Sequence, residues 1–139
     1  MPSTTKLLVV DDNPDSRFLL VKTLLRKFPH SIIHETQEAG AAVAMANANR
    51  LDAIVAHRAA DVDGLTLVRA LREANPTVPI VMVSGIDRSK AALLAGATTF
   101  LSYEAWLRIG SVVAALIDPE KARASNTDPE PDATRTSGR

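Results

Sequence analysis

Apolar positions along this chain fall into short continuous runs that alternate with longer stretches of helical spacing. Leu7 to Val10 is four apolar residues in a row. That is too few for a helix and lacks alternation, the pattern of a strand buried on both faces of a parallel sheet. The run ends at Asp11, Asp12, Asn13 and Pro14, with Asn13 suited to a helix cap and Pro14 to the first helical position. Apolar residues then recur at Phe18, Leu19, Val21, Leu24, Leu25 and Phe28, which predicts a helix over Pro14 to Phe28 with one apolar face, closed by Pro29. Ser31 to Thr36 predicts a short strand around Ile32 and Ile33. Ala39 to Asn49 predicts an alanine-rich helix (Ala42, Val43, Ala46) with little bulk to bury, hence peripheral.

Asp52 to His57 is the next strand, with Ala53 to Ala56 as its buried run, and Arg58 to Asp63 is a loop. Gly64 opens a helix with Leu65, Val68 and Leu71 spaced by three, and Asn75 to Pro79 connects it to a strand over Ile80 to Val83. Asp87 to Ala95 is a short helix stopped by Gly96, the usual residue just past a helix end. Thr99 to Leu101 is a brief strand, and a last helix over Glu104 to Ile117 places Trp106, Ile109, Val113 and Leu116 on one face. After Asp118 and Pro119 the apolar content falls to alanine, so residues 118–139 are expected to form a disordered tail behind a domain spanning 1–117.

Strands alternating with helices through short connections imply right-handed βαβ units and a parallel, doubly wound sheet. Such sheets bind their ligands outside the carboxyl ends of the strands. Asp11 and Asp12, His57 and Ser84 all fall there. Two carboxylates roughly 4 Å apart repel by about 4 kcal/mol at an effective dielectric near 20, so the pair needs a cation, a shared proton or good solvation. It is either a binding site or a solvated capping turn.

Composition narrows the class. The 16 basic and 16 acidic residues cancel, so nothing global points to nucleic acid or a membrane surface. The chain has no cysteine, which excludes disulfides and thiolate chemistry. It has no apolar run of membrane-spanning length, and Met1 to Lys6 does not read as a signal peptide, so a cytoplasmic location is expected.

Four pieces, in order and at nearly the right distances, resemble the receiver domain of bacterial two-component response regulators across about Lys6 to Ile117. They are Leu7-Leu-Val-Val-Asp-Asp-Asn13, Asp63-Gly64-Leu65, Pro79-Ile-Val-Met-Val-Ser-Gly85 and Gly96-Ala-Thr-Thr-Phe-Leu101. The resemblance implies the flavodoxin-like α/β fold, a five-stranded parallel sheet in the order 2-1-3-4-5. It also implies that the acid pair and an aspartate ending the third strand hold Mg²⁺, and that this aspartate accepts a phosphoryl group from a histidine kinase. A Thr or Ser hydroxyl and a Lys bind the phosphoryl oxygens, and an aromatic on the fifth strand acts as a switch. Catalysis in such a site is positioning and charge neutralisation.

This sequence keeps the acid pair (Asp11, Asp12), the hydroxyl (Ser84) and the aromatic (Phe100). It lacks the acceptor: counting forward along the third strand its place falls on His57, and counting back from Gly64 on Ala56. The family's Lys-Pro corresponds to Tyr103-Glu104. The expectation is a degenerate, stand-alone receiver, not an enzyme, that requires no cofactor and binds Mg²⁺ at Asp11 and Asp12 weakly if at all. His57, with Arg58, is the expected internal cation for the acid pair. Tyr103 is expected to lie across the old pocket and offer its hydroxyl to Asp11, Asp12 or Ser84. Output is expected by contact with a signalling protein (a histidine kinase, another response regulator or an effector) through about residues 87–117, with a homodimer also open. The alternative is a receiver phosphorylated at a substitute residue, Asp61, Asp63 or His57, with Mg²⁺ at Asp11 and Asp12.

Overall fold

A computed structural model describes residues 4–118 of the 139-residue chain. The tail read from the sequence, beyond Asp118, lies outside the described residues. Strand β1 (Lys6–Val10) leads to helix α1 (Pro14–Lys27), β2 (Ile32–Thr36), α2 (Ala39–Ala48), β3 (Ala53–Ala56) and α3 (Gly64–Ala74). Then come β4 (Ile80–Ser84), α4 (Ser89–Ala95), β5 (Thr99–Ser102), a 3-10 segment (Tyr103–Arg108) and α5 (Ile109–Ile117). All four strand pairings are parallel and the order is β2-β1-β3-β4-β5, as expected from the sequence.

The central strands are apolar on both faces because both faces are covered. Leu8, Val10, Ile54, Ala56, Ile80 and Met82 face one core with α2, α3 and α4. Leu7, Val9, Val55, Val81 and Val83 face a second core with α1 and α5. The alanines of α2 belong to the first core: Ala39, Ala42 and Ala46 are buried, which corrects the expectation of a peripheral helix. Small side chains bury little area each, but they let the helix approach its neighbours closely.

Two further expectations change. Helix α1 does not have one apolar face: Leu20 and Leu24 are fully buried, whereas Phe18 is 61% and Leu25 41% exposed. The pattern of apolar residues on α1 is wide enough to fill the core side and continue past it. The last helix is also not continuous from Glu104. A 3-10 turn comes first, Ala105 leaves helical geometry (φ −100°, ψ 26°), and the regular helix begins at Ile109. No side chain caps either start, so nothing local fixes one helical register across the kink.

Gly96 ends α4 at φ 119°, a left-handed conformation that an L side chain rarely adopts. A Cβ there would also lie 2.8 Å from Arg72 Cγ. Arg72 fills that space, donating from Nε to the Gly96 carbonyl (2.8 Å) and from Nη1 to the carbonyls of Asn75 (3.0 Å) and Val78 (2.7 Å). This clamp joins the loop before β4 to the loop before β5.

Candidate functional site

The parallel register carries Asp11 and His57 out of the sheet side by side. Val10 pairs with Ala56, and the His57 backbone N–H donates to the Val10 carbonyl at 2.9 Å. Ala56 is buried in the first core, so His57, not Ala56, is the residue that the third strand presents to the crevice. Its Nδ1 donates to Asp11 Oδ2 at 2.9 Å, with the imidazole 8% and the carboxylate 0% exposed. Asp11 is otherwise held from α1: the Asn13 N–H donates to Oδ1 (3.0 Å) and the Ser16 hydroxyl donates to Oδ2. Burial alone pushes the Asp11 carboxyl up, but the bonds from His57, Ser16 and the Asn13 backbone outweigh it and hold the group below its ordinary value.

The first turn of α1 places these donors. Asn13 accepts from the N–H groups of Asp15 (2.8 Å) and Ser16 (3.0 Å), as a helix cap should, and Pro14 takes the position where no N–H is needed. Ser16 is thereby turned back under Asp11. It is the functional neighbour that sequence reasoning missed. The cap three residues earlier was the signal that could have placed its hydroxyl.

Asp12 pairs instead with Arg58, with Arg58 Nε 3.3 Å from Oδ1. The two acids therefore do not share one partner. The buried one has the imidazole and the half-buried one has the guanidinium.

Tyr103 lies across the crevice as expected but makes a different contact. Its ring stacks on His57 with centroids 4.9 Å apart and planes 9° from parallel. Its hydroxyl hydrogen-bonds to none of Asp11, Asp12 and Ser84, which corrects that expectation. Ser84 lines the same crevice, and its hydroxyl accepts the Ile86 N–H at 3.1 Å. Phe100 is half-buried against the first core. The crevice is an open cleft of about 690 Å³ walled also by Asp63, Met82 and Arg88, of which Arg88 was not anticipated.

The two loop acids considered as substitute acceptors are both structural caps. Asp61 accepts the Ala39 N–H at 2.8 Å and so caps α2, where Glu38 makes no side-chain cap bond. Asp63 caps α3 by accepting the Thr66 N–H at 2.9 Å. These backbone bonds hold both carboxyls below the ordinary value.

As they stand, the side chains do not fit Mg²⁺. A hard dication needs several free oxygens, mostly carboxylate, carbonyl or water. Both Asp11 oxygens are already committed to Ser16, Asn13 and His57, and the third strand ends in His57, a nitrogen base. Among the described residues no group of three His, Asp or Glu side chains is arranged to hold a metal ion.

Comparison with known proteins identifies the family. The family model "Response regulator receiver domain" matches residues 7–104. The chain is 37% identical over 105 residues to the photosynthetic apparatus regulatory protein RegA of Rhodobacter capsulatus, covering 72% of this chain and 55% of that protein. It is 34% identical over 119 residues to RegA of Rhodovulum sulfidophilum, covering 84% and 63%. The chain thus spans less than two thirds of either relative. A two-component response regulator from Clostridium difficile superposes with a TM-score of 0.72 at 25% identity, over 85% of this chain and 98% of that one.

Proposed function

The chain belongs to the response regulator receiver domain family, and from that premise we propose that it is a degenerate receiver that signals by protein–protein contact without being phosphorylated. The observation that carries this reading is the His57–Asp11 pair, 2.9 Å apart, at the strand ends where the family's chemistry needs a third carboxylate. Phosphoryl transfer in the family depends on an acceptor oxygen, a dication and a lysine acting on one group. Here the acceptor position is an imidazole and the lysine position is Tyr103, whose ring covers that imidazole. The acid pair is balanced from within, Asp11 by His57 and Asp12 by Arg58. Any Mg²⁺ contact at Asp11 and Asp12 is weak on this reading.

Output then runs through the partner-facing side of the fold, about residues 87–117. Leu94 is 89% exposed there, and Leu93 and Leu107 are exposed as well. The partner is a signalling protein: a kinase, another regulator or an effector. No helix among the described residues is long and apolar enough to cross a membrane.

The direct test is incubation with acetyl phosphate or phosphoramidate and Mg²⁺, followed by intact-mass and peptide mass spectrometry. No adduct is expected. A stable phosphoryl group on Asp61, Asp63 or His57 would instead establish the rival reading, a receiver with a substitute acceptor.

A further inference from the structure

The sheet has two edges, β5 and β2, and only β5 lies in the surface at residues 87–117. On the β2 edge, parallel pairing with β1 turns the backbone groups of alternate residues inward. The Ile32 N–H donates to the Thr5 carbonyl at 2.8 Å, and the Thr36 carbonyl accepts the Asp11 N–H at 3.0 Å. Ile32, His34 and Thr36 therefore point their N–H and carbonyl groups at β1, and Ile33 and Glu35 point theirs away from the sheet. Those outward groups pair with no other segment among the described residues. Edges of this kind are commonly blunted by lysine, proline or a bulge. β2 has neither lysine nor proline, and its register on β1 runs unbroken from Ile32 to Thr36. Ile32 on it is 46% exposed. The edge is open and regular, and it carries β-branched side chains.

We infer that the β2 edge is an interface between two copies of this chain, paired antiparallel about a two-fold axis at His34. In that register Ile33 lies opposite Glu35 of the second copy, and each such pair exchanges two backbone hydrogen bonds. The two symmetric pairs make four bonds, which use every outward group of Ile33 and Glu35. A shift of two residues either way leaves one such pair within the strand, and a shift of one sets outward groups against inward ones. The strand's own pattern thus selects the register. Side chains agree with it: Ile32 meets Thr36 of the second copy, a β-branched pair formed twice. The two Glu35 side chains are not opposite each other, and each is engaged by Arg17 of its own chain at 3.1 Å. A second copy is favoured over a strand of another protein because the edge is complementary to itself. In addition, 16 basic and 16 acidic residues leave no net charge to hold two copies apart. Four bonds along one short strand make a small interface, so the dimer forms and dissociates readily.

The test is sedimentation equilibrium of the full chain from about 10 µM to about 1 mM, with amide hydrogen exchange followed by NMR across the same range. The mass should rise with concentration toward twice that of one chain. Exchange at Ile33 and Glu35 should slow about tenfold at the high end, whereas Ile32 and His34, already bonded to β1, should change far less. Glu35→Pro removes an outward N–H without touching the β1 ladder, a position where an edge strand tolerates proline, and should weaken association about tenfold or more. Glu35→Ala loses the same side chain but keeps the N–H, and it should dimerise as wild type does. If Glu35→Pro fails to fold, His34→Glu decides, because it sets two carboxylates opposite each other on the axis and should abolish the dimer. A chain that stays monomeric at 1 mM would overturn the inference. So would a dimer that leaves exchange at Ile33 and Glu35 unchanged, one protected only within residues 87–117, or one that Glu35→Pro and His34→Glu both leave intact.

Discussion

Replacing His57 by aspartate should convert an internally balanced acid site into one that needs a metal. In the wild type the His57 ring donates to Asp11 Oδ2 at 2.9 Å, and that carboxylate is completely buried. His57→Asp removes this donor, and a bond to a charged group is worth about 1.5–3 kcal/mol. It also removes the stack on Tyr103, worth about 0.5–1.5 kcal/mol. A new carboxylate about 4 Å from Asp11 would add close to 4 kcal/mol of repulsion at an effective dielectric near 20, if both stayed ionised. Protonation of one acid relieves part of this, so a net loss of about 3–5 kcal/mol is expected in the presence of EDTA. Mg²⁺ should then restore part of it: a site filled at a hundred times its Kd gains about 2.7 kcal/mol. The comparison is urea unfolding of wild type, His57→Asp and His57→Asn, each with EDTA and with millimolar Mg²⁺. His57→Asn keeps a side-chain donor without the charge, and it should fall between the other two and ignore Mg²⁺. If wild type gains as much from Mg²⁺ as His57→Asp does, or if His57→Asp is as stable as wild type in EDTA, His57 is not acting as the site's internal cation.

Asp11 should also govern the acid limb of stability. Its folded pKa lies below the ordinary 3.8, so its contribution is complete above about pH 5 and is lost as pH falls through the depressed folded value. Unfolding free energy measured against pH should therefore decline less steeply below pH 5 in Asp11→Asn than in wild type, and parallel curves would count against the assignment. Asp61→Ala removes the cap of α2 and should lower stability by about 1 kcal/mol in urea unfolding, with faster amide exchange at Ala39. Glu38→Ala, at the position that makes no cap bond, should change little. Gly110→Ala forces a methyl against the Lys27 stem and should cost about 1–3 kcal/mol, read as a lower urea midpoint at unchanged slope.

The sequence by itself determined the elements and the order in which they build the sheet. Four unbroken apolar residues at Leu7–Val10 can be satisfied only by helices on both faces of a strand, and Asn13-Pro14 and Gly96 mark helix ends through backbone constraints carried by the residue itself. Right-handed crossovers then leave few sheets to choose from, and Asp11, Asp12, His57 and Ser84 had to meet at one end. What those side chains do to one another was decided only by tertiary structure. His57 and Asp11 are 46 residues apart, and their bond depends on the β1–β3 register that sets the two strand ends side by side. The division of partners, imidazole to Asp11 and guanidinium to Asp12, likewise appears only in the folded chain. Asp61 reads in sequence as an ordinary loop acid, yet it caps a helix that began 22 residues earlier. On α1 the apolar pattern carried no mark of where one face stopped and another began. Periodicity records that a residue is apolar at a given angle around a helix, and only the packing of α5 and the sheet decides which of those angles is covered.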